Sequence, residues 1–312
     1  MIRPPGSSER PDLPLAVVIG AGGLGVGIAR RLGADHRLMI VDKDAARLSV
    51  LRAEMIAAGY DVEVMACDIT DGEWVVDLAA EVGPWRTLAH VAALSPSMGD
   101  FRTVLSVNLV GARNVEQSFA STATGGSAAI FISSLAAHAP PPEDAITGLL
   151  DDGPSADVAE RLEALLENAS STDAYRLSKF ALNRMCRRRA AAWGAQGARI
   201  LSLSPGLIAT PMGALEFKGS PQKLAMYAQS PLQREGTILE VAATVAFLAS
   251  SQASFITGTD ILVDGGLAAA LAFPQDSPVA PALPQSAQAW HDNVGEDKRT
   301  DARAEGDELR SG

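Results

Sequence analysis

The segment from Leu15 to Asp42 constrains the fold of this 312-residue chain more than any other. It opens with the apolar run Leu15 to Ile19, which is typical of a buried parallel strand. A glycine-rich turn and a helical pattern through Leu32 follow, and a second apolar run from Arg37 to Val41 ends in Asp42. Glycines let the backbone turn tightly and approach a pyrophosphate, and a helix N-terminus offers free N–H groups to its oxygens.

An acid about 20 residues beyond such a turn is where a dinucleotide site binds the adenosine ribose hydroxyls. Asp42 stands at that interval, and Lys43 follows it. Strand, glycine turn, helix, strand and acid in this order favour dinucleotide binding over a tight turn with a surface aspartate. We expect cofactor contacts at Gly20, Gly22, Gly23, Leu24, Gly25, Asp42 and Lys43.

Strand and helix patterns alternate along the rest of the chain. Further strands are predicted at 61–67, 87–93, 128–132, 198–203 and 259–263, with helices at 45–58, 73–82, 101–119, 175–193 and 237–249. Strict alternation predicts an α/β fold: a Rossmann-like, doubly wound parallel sheet in a single domain. Ligands of such sheets bind beyond the carboxyl ends of the strands, where Ser134 stands.

Composition changes along the chain suggest its organisation. Residues 1–14 and 273–312 are predicted to be disordered, and residues 15–272 to form the domain. Within it, residues 139–172 form a long connection, and its second predicted helix, capped by Ser155, carries an apolar stripe. Residues 212–230 suit a mobile substrate flap. The stripe must bury against the domain, a substrate or a partner chain. Its members are Val158, Leu162, Leu165 and Leu166.

Several classes of protein are disfavoured by composition. The formal net charge is −11 and basic residues form no long run, which argues against nucleic-acid binding. Cys67 and Cys186 have no metal or redox spacing, so we expect buried thiols and no metal site. No apolar run reaches the ~18 residues of a membrane span, and no signal-peptide pattern opens the chain. We expect a soluble, cytoplasmic protein with no membrane partner.

Tyr175 and Lys179 are candidates for proton transfer. They stand four residues apart on a predicted helix and therefore share a face. A phenol normally has a pKa of about 10, and a nearby ammonium favours the phenolate and lowers that pKa. The pair is suited to moving a proton to or from an alcohol.

These features together resemble the short single-domain branch of the short-chain dehydrogenase/reductase family, from about Leu15 to about Ala270. The residues that carry the resemblance are the glycine turn, Asp42, Asp68-Ile69, Asn108, Ser134, Tyr175 with Lys179, Pro205-Gly206 with Thr210, and Asp264-Gly265-Gly266.

The resemblance implies four catalytic residues. Tyr175 would be the general acid/base, and Lys179 would lower its pKa and bind the nicotinamide ribose. Ser134 would hydrogen-bond the substrate oxygen, and Asn108 would hold a water in a proton relay. The resemblance also implies further cofactor contacts. Asp68 and Ile69 would line the adenine pocket, Ala92 would pack by the cofactor, and Ile208 and Thr210 would touch the nicotinamide. Pro205 and Gly206 are further expected cofactor contacts.

Four features depart from the family pattern. Ile19 stands where a threonine is usual, and the glycine turn is one residue short. The sequence from His90 to Ala93 replaces Asn-Asn-Ala-Gly, and we assign His90 a structural role. The connection from Ser134 to Tyr175 is unusually long and resembles the insertion of bacterial 3α-hydroxysteroid dehydrogenase/carbonyl reductases, where it alters subunit assembly.

The sequence thus predicts an NAD-dependent oxidoreductase, with NADP less favoured, that interconverts a secondary alcohol and a ketone. A steroid-like or other apolar carbonyl compound is the expected substrate type, although the sequence names neither substrate nor direction. A non-catalytic NAD(H)-binding sensor is the alternative, and a sugar-nucleotide epimerase or dehydratase is a weaker one. We expect a homo-oligomer, with a dimer slightly favoured over a tetramer.

Overall fold

The computed structural model describes residues 13–152, 157–210 and 221–273. Seven strands form one sheet in the order β3-β2-β1-β4-β5-β6-β7, and every pair is parallel. The prediction of an α/β, Rossmann-like, doubly wound parallel sheet in a single domain is confirmed. The strands are β1 Leu15–Ile19, β2 Arg37–Asp42, β3 Val62–Ala66, β4 Trp85–His90, β5 Ala123–Ile132, β6 Arg199–Pro205 and β7 Asp260–Val263.

Helices connect the strands. A π-helical segment, Ser106–Gly111, joins α4 to α5. The α-helices are α1 Gly23–Leu32, α2 Ala45–Ala57, α3 Gly72–Val82, α4 Phe101–Leu105, α5 Ala112–Ala120, α6 Asp144–Asp151, α7 Val158–Leu165, α8 Ser171–Gly194, α9 Pro221–Gln229, α10 Ile238–Ala249 and α11 Leu267–Ala272.

The described residues fall into two compact units. The larger contains the chain up to Pro205 together with Ile238–Val263, and it holds the whole sheet. Of the described residues, the smaller contains 206–210, 221–237 and 264–273, including α9 and α11.

Register in the sheet brings the glycine turn and Asp42 to one edge. All five residues of β1 are buried, as expected for a strand covered on both faces. Ile19 pairs with Val41 on one side and with His90 on the other. The carboxyl ends of β1, β2 and β4 therefore meet, and the residues that follow them are neighbours.

The long connection folds back onto the larger unit. Its buried residues belong to one cluster with residues of α4, the π-helical segment and α8. Ion pairs tie its helices to α4 and α8: Arg102 Nη2 lies 2.6 Å from Glu163 Oε2, Arg184 Nε donates to Asp151 Oδ1 at 2.9 Å, and Arg188 Nη1 lies 3.0 Å from Asp151 Oδ2. The cluster contains Phe101, Val104, Leu105, Leu109, Ile146, Leu150, Val158, Leu162, Ala174, Leu177 and Ala181.

Several sequence predictions are wrong in detail. The fifth strand begins at Ala123 and not at residue 128, and the π-helical segment interrupts the helix predicted at 101–119. Leu165 was placed on the buried stripe, but its side chain is 48% exposed because α7 ends there and the chain leaves helical geometry at Leu166. The fourth strand was predicted to reach Ala93 but ends at His90. There the N–H groups of Val91 and Ala92 both donate to the single carbonyl of Ile19, at 2.8 Å each, which interrupts the ladder.

Other predictions fall outside the described residues. They are the disorder of residues 1–12 and 274–312, the helix cap at Ser155, and the part of the flap at 212–220. The two cysteines are free and buried as expected. None of the helices in the three described ranges is long and apolar enough to cross a membrane.

Candidate active site

The glycine turn closes through contacts that leave no room for side chains. Gly20 has φ +107°, and a Cβ there would lie 2.6 Å from the nitrogen of Ala92. A Cβ on Gly25 would lie 1.8 Å from the carbonyl oxygen of Gly20. Gly22, which caps α1, has nothing within 4 Å of its Cβ position and faces open space. The turn therefore combines close packing on one side with an open cradle at a helix N-terminus, which fits a pyrophosphate.

Asp42 braces this turn. Its Oδ2 accepts from the N–H of Ala21 at 2.7 Å, and its Oδ1 accepts from the N–H of Asp44 at 3.0 Å. Sequence reasoning had given Asp42 only a ribose contact. Both oxygens retain lone pairs, so the brace and a ribose contact are compatible.

A cleft of about 340 Å³ opens beside the turn. Arg47, on the first turn of α2, lines it together with Ala21. Sequence reasoning missed Arg47, although a basic residue shortly after Asp42 was a usable signal. Arg47 Nε lies 3.8 Å from Asp44 Oδ2, and Lys43, which follows Asp42 in the chain, is exposed.

The predicted adenine-side residues are held by the elements around them. Asp68 Oδ1 accepts from the N–H and the hydroxyl of Thr70, at 3.0 and 2.7 Å, and these bonds lower the pKa of Asp68. Ile69 is buried against Gly111, and its carbonyl accepts from Asn114 Nδ2 at 2.9 Å. This corner of the larger unit is therefore preformed.

Lys179 is buried in the third turn of α8. Its Nζ donates to the carbonyl of Ile132, the last residue of β5, at 2.9 Å, and lies 5.7 Å from the centre of the Tyr175 ring. The Ser133 hydroxyl donates in return to the Lys179 carbonyl at 3.3 Å. Burial lowers the pKa of Lys179 to about 8. These two hydrogen bonds, donated in opposite directions, thus fix α8 at the end of β5.

Tyr175 lies one turn before Lys179 and meets Ser134. Burial raises the pKa of Tyr175, and a hydrogen bond with the Ser134 side chain lowers it in part. The expectation that Lys179 brings this pKa down toward working pH is wrong for the chain by itself. Loss of hydration is the larger effect on the phenol, the hydrogen bond with Ser134 is the opposing one, and the Lys179 ammonium donates to the Ile132 carbonyl instead.

Asn108 sits in the π-helical segment and is buried. Its Oδ1 accepts from the N–H of Leu94 at 2.7 Å, and its Nδ2 donates to the Leu94 carbonyl at 2.9 Å. Asn108 therefore anchors the loop after β4, a contact that sequence reasoning did not foresee.

His90 is the one buried imidazole among the described residues. It is 2% exposed, its ring lies 5.2 Å from that of Phe131, and its Nδ1 has no hydrogen-bond partner within the described chain. Burial, with a smaller contribution from Lys179, lowers the pKa of His90 to about 3. The imidazole is therefore neutral at ordinary pH, which suits the predicted structural role.

The remaining predicted cofactor residues divide between the units. Pro205 ends β6 in the larger unit, whereas Gly206, Ile208 and Thr210 belong to the smaller unit. Within the smaller unit, Ile208 forms a bridge with Gly236. The structure brings together the glycine turn with Asp42 and Ala92, and separately Ser134 with Tyr175 and Lys179.

Comparison with known proteins identifies the family. A family model described as short chain dehydrogenase matches residues 14–146, and one described as Enoyl-(Acyl carrier protein) reductase matches residues 162–268. The chain is 35% identical over 265 residues to the short-chain dehydrogenase/reductase bsc3 of Alternaria brassicicola, a match that covers 82% of this chain and 96% of that protein. The chain belongs to the short-chain dehydrogenase/reductase family.

Other members resemble it at similar distance. Galactitol 2-dehydrogenase (L-tagatose-forming) of Cereibacter sphaeroides is 32% identical, covering 82% of this chain and 96% of that protein. The 3-alpha-hydroxysteroid dehydrogenase/carbonyl reductase of Comamonas testosteroni is 31% identical, covering 70% and 91%. The structure of a short-chain type dehydrogenase/reductase from Mycobacterium ulcerans superposes with a TM-score of 0.67 at 25% identity, covering 82% and 90%. The chain is thus a member of an oxidoreductase family that uses NAD or NADP on small molecules.

His90 should make stability depend on pH. Its pKa is about 6.5 in an unfolded chain and about 3 in the folded one, so its contribution is intact above pH 6.5 and is lost as pH falls toward 3. In His90→Phe, the free energy of unfolding should fall less between pH 7 and pH 4, by on the order of 3 kcal/mol. Urea unfolding of both proteins at each pH measures this, and the carboxylates common to both cancel. Parallel curves would contradict it.

Proposed function

We propose that the protein is an NAD(H)-dependent oxidoreductase of the alcohol dehydrogenase/carbonyl reductase type. It acts in the cytoplasm and interconverts a secondary alcohol and a ketone. The observation that carries the proposal is the meeting of the Tyr175 phenol, the Ser134 hydroxyl and the buried Lys179 ammonium beyond the end of β5. A hydroxyl donor, a proton carrier and a fixed cation are the groups that alcohol oxidation requires.

Each residue has a distinct task in this proposal. Ser134 hydrogen-bonds the substrate oxygen, and Tyr175 takes the hydroxyl proton as the alcohol is oxidised. Lys179 stabilises the phenolate that results, because its positive charge lies 5.7 Å from the Tyr175 ring. A bound nicotinamide supplies the hydride acceptor, so that alcohol and NAD⁺ give ketone, NADH and a proton. Asn108 holds the loop after β4 and serves the proton relay.

The cofactor would lie along the edge where β1, β2 and β4 end. The open cradle at Gly22 and the N-terminus of α1 suit the pyrophosphate, and Asp42 suits the ribose hydroxyls. Asp68 and Ile69 line the adenine side, and Pro205 lies at the end of β6. Cofactor roles for Gly206, Ile208 and Thr210, a substrate flap at 212–230 and a domain spanning 15–272 are also part of the proposal.

The alternative, a sensor that binds NAD(H) without turnover, accounts less well for Ser134 and Tyr175 beside Lys179. A sensor has no need of groups that bind a substrate oxygen and transfer its proton. The names of two relatives refer to galactitol at position 2 and to a 3α-hydroxysteroid, and the carbon named in each carries a secondary hydroxyl group. They support the class of substrate and leave a polyol and a steroid-like compound as competing candidates.

Replacing Tyr175 with phenylalanine tests the catalytic assignment. We expect kcat to fall by about 10²–10⁴, with NADH binding retained, because the ionisable proton is lost and ring packing is kept. The assay follows NADH absorbance with galactitol, cyclohexanol, androsterone and the corresponding ketones. Tyr60→Phe is the matched control and should keep full turnover. Near-normal turnover in Tyr175→Phe would contradict the assignment of Tyr175 as the proton-transfer residue.

Cofactor preference tests the role of Asp42. Its carboxylate should repel a 2′-phosphate, so kcat/KM should be higher with NAD(H) than with NADP(H). Lys43 and Arg47 act in the opposite direction, and Lys43→Ala or Arg47→Ala should widen the preference. A preference for NADP(H) in the unmodified protein would show that the two cations outweigh Asp42.

Assembly tests the role of residues 139–172. They cover α4 and α8, whereas α10 and β7 leave Leu239, Phe247 and Leu262 exposed at 73%, 44% and 40%. We propose a two-fold dimer through α10 and β7, since an isologous contact buries the same apolar patch twice. Light scattering of the intact chain should give a dimer, and Leu239→Asp should weaken it. A monomer would refute this contact, and a tetramer would mean that the insertion does not block a second one.

A further inference from the structure

A short 3₁₀ turn, Leu135–His138, follows directly after Ser134. Ser134 caps it: its Oγ accepts from the N–H of Ala136 at 3.2 Å, and its carbonyl accepts from the N–H of Ala137 at 2.9 Å. A 3₁₀ turn of four residues has poor hydrogen-bond geometry and little stability of its own. The direction of the Ser134 side chain therefore depends on what holds the turn in place.

The far end of the turn is held by β7. His138 Nε2 lies 2.8 Å from Oδ2 of Asp260, at the start of β7. The other carboxylate oxygen, Oδ1, accepts from the Ser204 hydroxyl at 3.0 Å. A carboxylate only accepts, so Nε2 of His138 carries the hydrogen in this contact.

Burial makes this contact hard to give up. The Asp260 side chain is 2% exposed and that of His138 is 27% exposed. A buried carboxylate oxygen without a donor carries the full cost of its lost hydration. His138 is therefore held on the sheet by Asp260, because this buried carboxylate cannot exchange the imidazole for a water molecule.

The residues before Ser134 are anchored differently. The N–H of Ser133 donates to the Leu203 carbonyl at 2.7 Å, and its hydroxyl donates to the Lys179 carbonyl. Within the turn, Leu135 and Ala137 are buried, but apolar packing is not directional. The contact of His138 with Asp260 supplies a directional hold within the turn on the side that follows Ser134. A second hydrogen bond, from Arg176 Nη1 to the Pro140 carbonyl at 3.2 Å, lies two residues beyond it.

We infer that His138 is a positioning residue, which with Asp260 clamps the 3₁₀ turn to β7 and thereby sets the Ser134 hydroxyl against Tyr175. The inference rests on the proposed function insofar as Ser134 binds the substrate oxygen. Without the clamp, the turn gains freedom and the hydroxyl spends less time in contact with the phenol. Misplacement of a catalytic group by about 1 Å can cost up to 10²-fold in rate.

Two variants separate the clamp from a merely structural role. His138→Leu removes the donor and keeps bulk at a partly exposed position. His138→Gln offers an amide N–H that reaches about as far as Nε2 and can still donate to Asp260. His36→Leu is the matched control, because His36 Nδ1 lies 2.6 Å from Asp35 Oδ1 elsewhere in the larger unit.

The first measurement needs no substrate. The chain has three tyrosines, so the ¹³Cζ resonance of Tyr175 can be assigned in the intact, ¹³Cζ-tyrosine-labelled protein by its loss in Tyr175→Phe. His138→Leu should shift this resonance by more than its linewidth, because the hydrogen bond with Ser134 weakens. His138→Gln should restore it and His36→Leu should leave it in place. An unchanged resonance in His138→Leu would overturn the clamp.

The second measurement links the clamp to turnover. With the fastest substrate of the alcohol and ketone panel, kcat of His138→Leu should fall about tenfold with little change in KM, and His138→Gln should recover most of it. A shifted resonance with normal kcat would overturn the link to Ser134 function. If no compound is turned over, the proposed function fails, while the resonance still decides the clamp. Should His138→Leu fold poorly, His138→Asn, whose amide is too short to reach Asp260, makes the same comparison.

Discussion

The Lys179 ammonium, buried and bonded at 2.9 Å to the carbonyl of Ile132, is the contact on which the candidate site depends. A buried cation is tolerated only with a partner. If α8 shifted along β5, the Lys179 ammonium would lose the Ile132 carbonyl and would be left buried without a hydrogen-bond acceptor. The return bond from Ser133 to the Lys179 carbonyl makes the attachment two-sided. Because Tyr175 is one turn earlier on α8 and Ser134 follows Ser133, this single attachment brings phenol, hydroxyl and ammonium together.

The insertion between Ser134 and Tyr175 stabilises the same helix from its other side. Ile146, Leu150, Val158 and Leu162 bury against α4 and α8, and Asp151 forms ion pairs with Arg184 and Arg188 of α8. Isolated helices of eight residues are marginal in water, so α6 and α7 owe their stability to this packing. The long connection is thus an integral part of the larger unit. It holds α8 through apolar packing and ion pairs, whereas Lys179 holds the same helix on β5.

Particular residues mark the limit of sequence reasoning. The strands, the glycine turn and the placement of Ser134 were predictable because apolar runs, turn glycines and helix periodicity are local properties. Leu165 and the end of β4 were mispredicted, since exposure and ladder interruption depend on what packs against each residue. The brace from Asp42 to Ala21 and the bond from Asn108 to Leu94 join residues far apart in the chain, and no local pattern encodes them.

The sequence by itself determined the α/β class, the sheet, the candidate residues and the family resemblance, because each rests on the type and spacing of neighbouring residues. Only the tertiary structure decided how those residues are held and charged. Burial lowers the pKa of Lys179 and raises that of Tyr175, and no feature of the two side chains alone predicts that balance. It likewise decided that His138 meets Asp260, since that pair exists only where β7 completes the sheet.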